Sequence, residues 1–304
     1  MMGAISRALD SDFVYGFRRS PVALISALVL LVILVAAAFA PWLAPYNPFD
    51  LAALSLMDSF NPPAFMPDGT MAHVLGTDDQ GRDMLSGIMY GTRVSLTVGV
   101  LAIAFSLAMG ISLGLVAGYL GGAVDAVLMR IADVQLTFPS ILIALLVDGV
   151  VRAILPREFH DRMEIYVLIF AIGIARWPQF ARTVRGSTLV ERGREYVMAA
   201  RVIGLSSGRI MASHILPNVL GPVLVIATLN LGLAVLDEAT LSFLGVGLPP
   251  TQPSLGTLIR IGNDFLFSGE WWITIFPGVA LAAMVLSINL LGDWLRDALN
   301  PRLR

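Results

Sequence analysis

Uncharged apolar runs of bilayer length alternate with polar stretches along this chain. The first, Val22–Ala40, holds nineteen residues without a charge and lies between Pro21 and Pro41. A hydrocarbon core about 30 Å thick needs about 20 helical residues. A signal peptide has an apolar core of only about 7–15. The run therefore predicts an uncleaved first span, although Ala38-Phe39-Ala40 resembles a cleavage site. Five further spans follow: about Val94–Tyr119, Asp125–Val150 with Pro139 inside, Ile165–Phe180, Val219–Leu236 and Ile273–Leu291. The pattern predicts an all-α, polytopic membrane protein with six transmembrane helices. Residues 1–20 form an N-terminal segment, 21–40 the first span, 41–91 a polar segment rich in Pro, Asp and Gly, 92–292 a five-helix core, and 293–304 a tail.

The longest polar interruption in the second half, Arg182–Asn218, carries Arg182, Arg185, Arg192, Arg194, Arg201 and Arg209. An Arg at the bilayer centre costs roughly 2.5–3.5 kcal/mol, so the segment must lie outside the hydrocarbon. It also reads as ordered. Glu195–Arg201 is rich in helix formers, and Gly204 follows where a C-cap belongs. A second short helix is expected from Ser207 to Leu216, capped by Ser206 or Ser207, with Pro217 at the next membrane boundary. Two short helices meeting at a glycine make a compact knob suited to a groove on a partner. On residue type alone, an amphipathic helix lying on the membrane surface is the competing reading.

Composition sharpens this. The chain is 57% hydrophobic and 14% charged, a membrane-integral profile, and its net charge of −2 gives no reason to expect nucleic acid. All 20 basic residues are Arg. Without Lys there is no conventional phosphate-binding loop and no Schiff-base chemistry, so any ATP that drives this chain binds elsewhere. The absence of Cys excludes disulfides and thiol chemistry, and His73, His160 and His214 are too scattered for a zinc site or a catalytic triad. With an inside N-terminus, fourteen Arg fall on the cytoplasmic side and six outside, which satisfies the positive-inside rule and places the Arg182–Asn218 knob in the cytoplasm.

Other positions carry narrower expectations. Gly110, Gly114 and Gly118 form a small-xxx-small stripe for close helix packing. Thr77-Asp78 and Gly81 suggest a turn, with Asp83 available to Arg82 or Arg93 and no calcium-loop spacing. Asp133 and Arg130, three apart, are expected to neutralise each other, and Glu158 and Arg162 to pair in the linker Arg152–Glu164. Asp133, Asp237 and Glu238 are the ionisable candidates for a translocation path, or for the buried relay that a proton-coupled secondary transporter would need.

Met198-Ala199-Ala200-Arg201-Val202-Ile203-Gly204, then nine residues, then His214-Ile215-Leu216-Pro217 resemble the Glu-Ala-Ala signature of ABC-transporter permeases. Ala199, Ala200, Gly204, Leu216 and Pro217 fill matching slots at matching spacing, whereas Met198 takes the Glu slot and His214 the Ile slot. Glu195 lies one turn upstream on about the same face. The resemblance implies a coupling helix that docks on an ATP-hydrolysing subunit, with Glu195, Met198, Ala199, Ala200, Arg201, Gly204, Leu205, His214, Leu216 and Pro217 at the contact. Four more motifs, in order, are similar to the dipeptide, oligopeptide and nickel branch. They are Leu75–Asp78 with Gly81-Arg82-Asp83, Gly121-Gly122 through Phe138-Pro139, Leu241–Gly245 through Gly256, and Asn289–Asp293 through Arg302. Gly87, Leu255, Trp294 and Asn300 depart from the pattern. The resemblance implies the type I importer permease fold and, most closely, the second permease subunit of a dipeptide importer. Nickel-chelate and glutathione importers use the same scaffold. It further implies a homologous permease, two ATP-binding subunits that use ATP and magnesium on the cytoplasmic face, and a periplasmic or surface substrate-binding protein, with this chain in the bacterial inner membrane and both its termini cytoplasmic.

Overall fold

The structure is a computed structural model that describes residues 12–50, 54–156, 160–249 and 252–298. Among these residues the secondary structure is helical, with one isolated bridge between Thr77 and Asp83. The helices are α1 (Asp12–Arg19), α2 (Pro21–Ala38), α3 (Ala40–Leu43), α4 (Met84–Leu120), α5 (Gly122–Leu136), α6 (Ser140–Ile154), α7 (His160–Glu191), α8 (Glu195–Val202), α9 (Ser207–Ile210), α10 (Leu216–Phe243), α11 (Leu255–Phe265) and α12 (Trp272–Ala298). They fall into two compact units, Met1–Thr97 with Glu238–Arg304, and Val98–Asp237.

Among the described residues, four helical segments are long and apolar enough to cross a membrane: α2, α4, Ser207–Phe243 and α12. The bent pair α5–α6 makes a fifth. The remaining expected span, 165–180, lies in α7, which is 32 residues long but interrupts its apolar run with Glu164 and Arg176. It is therefore not among the helices that qualify on length and composition.

The expected third span is not one rod. α5 and α6 meet at 98° across Thr137–Pro139. Phe138 precedes a proline, which pushes it out of helical geometry, and Pro139 then starts the next helix without needing an N–H partner. α7 runs through Arg182 to Glu191, so the first ten residues of the expected knob extend a long helix. Nor does the second short helix stand alone. α9 passes through a π turn, Met211–Ile215, directly into α10. Pro217 explains the π turn: it has no N–H for the i−4 carbonyl, and its ring would clash there, so the backbone widens by one residue.

In the first unit, α12 packs against α2 and α11, and Phe17 meets Trp294 edge-on at 5.0 Å. α11 lies in the stretch expected to be an outer loop. Ser254 caps it by accepting from the Thr257 N–H at 3.2 Å, and it buries Leu255, Leu258 and Gly262. Asp83 caps α4, taking the Ser86 N–H at 2.8 Å, and its other oxygen meets His73 Nδ1 at 3.2 Å. Among the described residues no Asp83–Arg pair appears: Arg82 Nε donates to Asp78 at 2.6 Å. The Trp272 indole donates to the Thr77 carbonyl at 3.0 Å and pins this turn.

In the second unit the glycine stripe does what its spacing implies. A Cβ on Gly110 would lie 2.5 Å from Phe180 Cβ, on Gly114 2.6 Å from the Ala181 carbonyl oxygen, and on Gly118 2.7 Å from Thr188 Cβ. α4 and α7 therefore touch backbone to backbone at three successive turns. The expected Glu158–Arg162 pair and the motif end Leu299–Arg302 lie outside the described residues.

Candidate functional site

Helix α8 begins with Glu195 in its first turn, where a carboxylate complements the helix dipole. It ends on a Schellman turn: the Leu205 N–H donates to the Ala200 carbonyl at 3.1 Å, and the Gly204 N–H to that of Arg201 at 3.0 Å. Gly204 has φ +83°, a left-handed conformation that costs an L side chain about 1–2 kcal/mol. Its Cβ position points into open space, so conformation and not crowding requires the glycine.

One face of α8 turns inward. Val197 and Ala200 are buried, as are Ile210 and Ile215 in the returning segment. The other face carries exposed Glu195, Met198 and Ala199 and continues into Val202 and Ile203, which are 89% and 76% exposed. Arg201 and Gly204 are exposed and Leu205 partly so, and Leu216 is half-buried while Pro217 is exposed. The expected docking residues thus divide. Ala200 belongs to the base; Glu195, Met198, Ala199, Arg201 and Gly204 belong to the crown.

Polar contacts hold this base. The Tyr196 hydroxyl donates to Glu191 at 2.6 Å and accepts from the Asn218 amide at 3.1 Å, while that amide also donates to the His214 carbonyl at 2.7 Å. Loss of solvent, followed by the hydrogen bond to Glu191, raises the Tyr196 pKa above its usual 10. Arg192 reaches the Gly118 and Tyr119 carbonyls at 3.1 and 3.2 Å, the last-turn carbonyls of α4 that have no intrahelical donor. The Arg201 guanidinium sits 5.0 Å above the Tyr119 ring. His214 is partly buried and its Nδ1 has no hydrogen-bond partner among the described residues. Sequence reasoning missed Glu191, Arg192, Tyr196 and Asn218; no motif links them, because they meet across a break and a returning helix.

A second set of contacts fixes α5 on α7. Arg185 holds Asp125 through two bonds, at 2.9 and 2.6 Å, which raises the Arg185 pKa. Asp133 pairs with Arg182, Nε at 3.1 Å, and not with Arg130 as expected. The neighbouring turn cannot compete with a guanidinium delivered from the facing helix. Gln135 donates to the Ile174 carbonyl at 2.6 Å and accepts from Trp177 at 3.0 Å.

Among the described residues no ion pair or hydrogen bond joins the three ionisable candidates, although Asp237 and Glu238 are neighbours in sequence. Asp133 is the partly exposed partner of Arg182. Asp237 is bound by Arg176 through Nε at 2.9 Å and a terminal nitrogen at 2.6 Å, and Arg176 also reaches Asn230 at 3.2 Å. Glu238 is fully buried in the other unit, where Ser242 donates to it at 2.8 Å and Ser95 and Ser254 lie beside it.

Residues 110–304 match the family described as the binding-protein-dependent transport system inner membrane component. The chain belongs to this family. Residues 11–63 match the N-terminal transmembrane domain of oligopeptide transport permease C. The dipeptide transport system permease protein DppC of Escherichia coli K12 is 42% identical over 293 residues, covering 96% of this chain and 93% of that protein. The DppC of Haemophilus influenzae is 36% identical over 96% of this chain and 95% of its own length. A Pseudomonas aeruginosa di/tripeptide transport system permease protein is 37% identical over 96% and 92%. Among solved structures, an inward-facing MetNI methionine ABC transporter superposes with TM-score 0.53 at 20% identity, over 71% of this chain and 96% of that one. That likeness is one of fold. This permease is thus a multi-pass inner-membrane protein with the type I importer permease fold, and residues 195–217 lie within the matched region.

Proposed function

We propose that this chain is one permease subunit of an ATP-driven peptide importer, with the residue 195–217 loop as its contact to an ATP-hydrolysing subunit. The observation that carries this reading is the loop's division of labour. Its base is tied to the ends of α4, α7 and α10, while Met198, Val202 and Ile203 stand exposed on a rigid glycine-capped turn. Exposed apolar side chains in such a cluster mark a binding surface. A homologous permease completes the path, two ATPase subunits supply ATP and magnesium, and an external binding protein delivers the peptide. Both termini and the loop face the cytoplasm. The loop transmits energy only so far as it contacts the two ATPase states differently. The relatives named for dipeptide transport support peptides over nickel chelates or glutathione as the cargo class. A proton-coupled carrier fits less well, because Asp133 and Asp237 are each matched by an Arg.

The test uses Val202→Glu and Gly204→Ala in the assembled transporter. Val202 is exposed, so its replacement leaves the permease folded and strikes only a docking contact. Gly204→Ala twists the turn without a clash. Uptake driven by ATP should fall at least about tenfold for Val202→Glu, the loss expected for about 1.4 kcal/mol of lost contact, with membrane insertion unchanged. Wild-type uptake by both variants would overturn the coupling role.

A further inference from the structure

Helix α5 has one face that nothing among the described residues covers. Asp125, Met129, Ala132 and Gln135 turn toward α7. Val124, Val127, Ile131, Val134 and, just past the helix end, Phe138 are all exposed. Their spacing is three, four, three, four, the seam pattern of a helix that packs against another helix, with β-branched residues at four of the five positions. Ile131, Val134 and Phe138 also line a cavity of ≈ 450 Å³ with Ile143 and Val147 of α6 and Ile174 of α7. The 98° bend makes this an open apolar notch on the exposed side of α5.

Arg130 lines the same notch. In the seam register it occupies the flanking position from which interhelical ion pairs form. Its expected partner Asp133 is taken by Arg182, and among the described residues Arg130 forms no ion pair. Lipid tails are a poor match for a guanidinium in this notch, since a charge near hydrocarbon is costly. A packed helix that brings a carboxylate satisfies both features.

We propose that the Val124–Phe138 stripe and the notch beside it receive a membrane helix of the homologous permease subunit, with an acidic side chain placed against Arg130. This rests on the permease reading above. It adds which surface joins the two permeases and the charge its counterpart must carry.

The test places a photo-reactive benzoylphenylalanine at Val127, Ile131 or Val134 in the full complex in native membranes. Ile25 and Leu31, exposed on α2, serve as controls. The expected result is a covalent adduct with the second permease from the stripe positions, at least about fivefold above the controls, mapped by peptide mass to a segment containing Asp or Glu. Arg130→Glu should lower recovery of the second permease several-fold, and reversing the mapped acidic residue to Arg should restore it. Adducts with lipid alone, or with a second copy of this chain, in a complex that still contains both permeases and the ATPase would overturn the inference and leave the permease reading standing. An active transporter purified with no second permease would overturn both.

Discussion

Replacing Gly114 by alanine separates two effects that a helical glycine combines. In an exposed helix interior, Gly→Ala stabilises by about 0.5–1 kcal/mol, because glycine loses the most backbone freedom on folding. At Gly114 the new Cβ would lie 2.6 Å from the Ala181 carbonyl oxygen and 2.7 Å from Val184 Cβ, whereas ordinary contact begins at 3.4 Å. The difference, 3.4 − 2.6, means that α4 and α7 must separate by about 0.8 Å. The obstacle is backbone, which cannot rotate away as a side-chain tip can. Overpacking of this kind costs about 1–3 kcal/mol and outweighs the propensity gain. Gly186, exposed on α7, is the matched control, since its Cβ would meet nothing within 4 Å. Thermal unfolding of the detergent-solubilised permease, followed by the fraction remaining monodisperse, should show Gly114→Ala melting several degrees below the parent and Gly186→Ala at or above it. A Gly114→Ala variant as stable as Gly186→Ala would refute the backbone-contact account of the α4–α7 pair.

Two further outcomes follow from local geometry. Arg152 joins buried Asp148 to Glu164, each at 2.7 Å, so Arg152→Ala strands a buried carboxylate and should cost about 3 kcal/mol. The triple variant Arg152→Leu, Asp148→Leu, Glu164→Leu, which leaves no carboxylate of this group behind, should recover most of that loss in the same melting assay. Tyr196 has its pKa raised by desolvation first and Glu191 second, so the hydroxyl keeps its proton, and its bond to Glu191, at every pH below its usual pKa of 10. Stability from this contact is lost only as pH rises through the higher folded value. Tyr196→Phe should therefore lower stability evenly between pH 6 and 9, and a pH-dependent difference in that window would contradict the assignment.

Much of this was legible from residue order because it depends on near neighbours. Apolar run length located the five spans that qualify, the Gly110–Gly118 spacing located the α4–α7 contact, and Gly204 marked the end of α8. Tertiary competition was not legible. Asp133 has Arg130 three residues away, yet Arg182 takes it from 49 residues away because α7 delivers that guanidinium face-on. Continuity was equally hidden. Pro217 reads as a boundary, but a π turn absorbs it and the helix continues, whereas Pro139 bends the chain by 98°. α11 escaped notice because eleven residues with Arg260 and Asp264 are too short and too polar for a span. The Tyr196–Asn218 clamp joins residues that only the folded return of the chain brings together.

The loop's role is most directly measured by introducing one cysteine into this naturally cysteine-free chain, at Ile203 beside Gly204. In inside-out vesicles holding the full transporter, a short maleimide–benzophenone reagent attached to Ile203→Cys should, on illumination, join it to the ATPase subunit, and the yield should change when ATP is bound. Labelling of that cysteine by an impermeant reagent from outside intact cells, or efficient uptake with no ATPase within reach of it, would contradict the account.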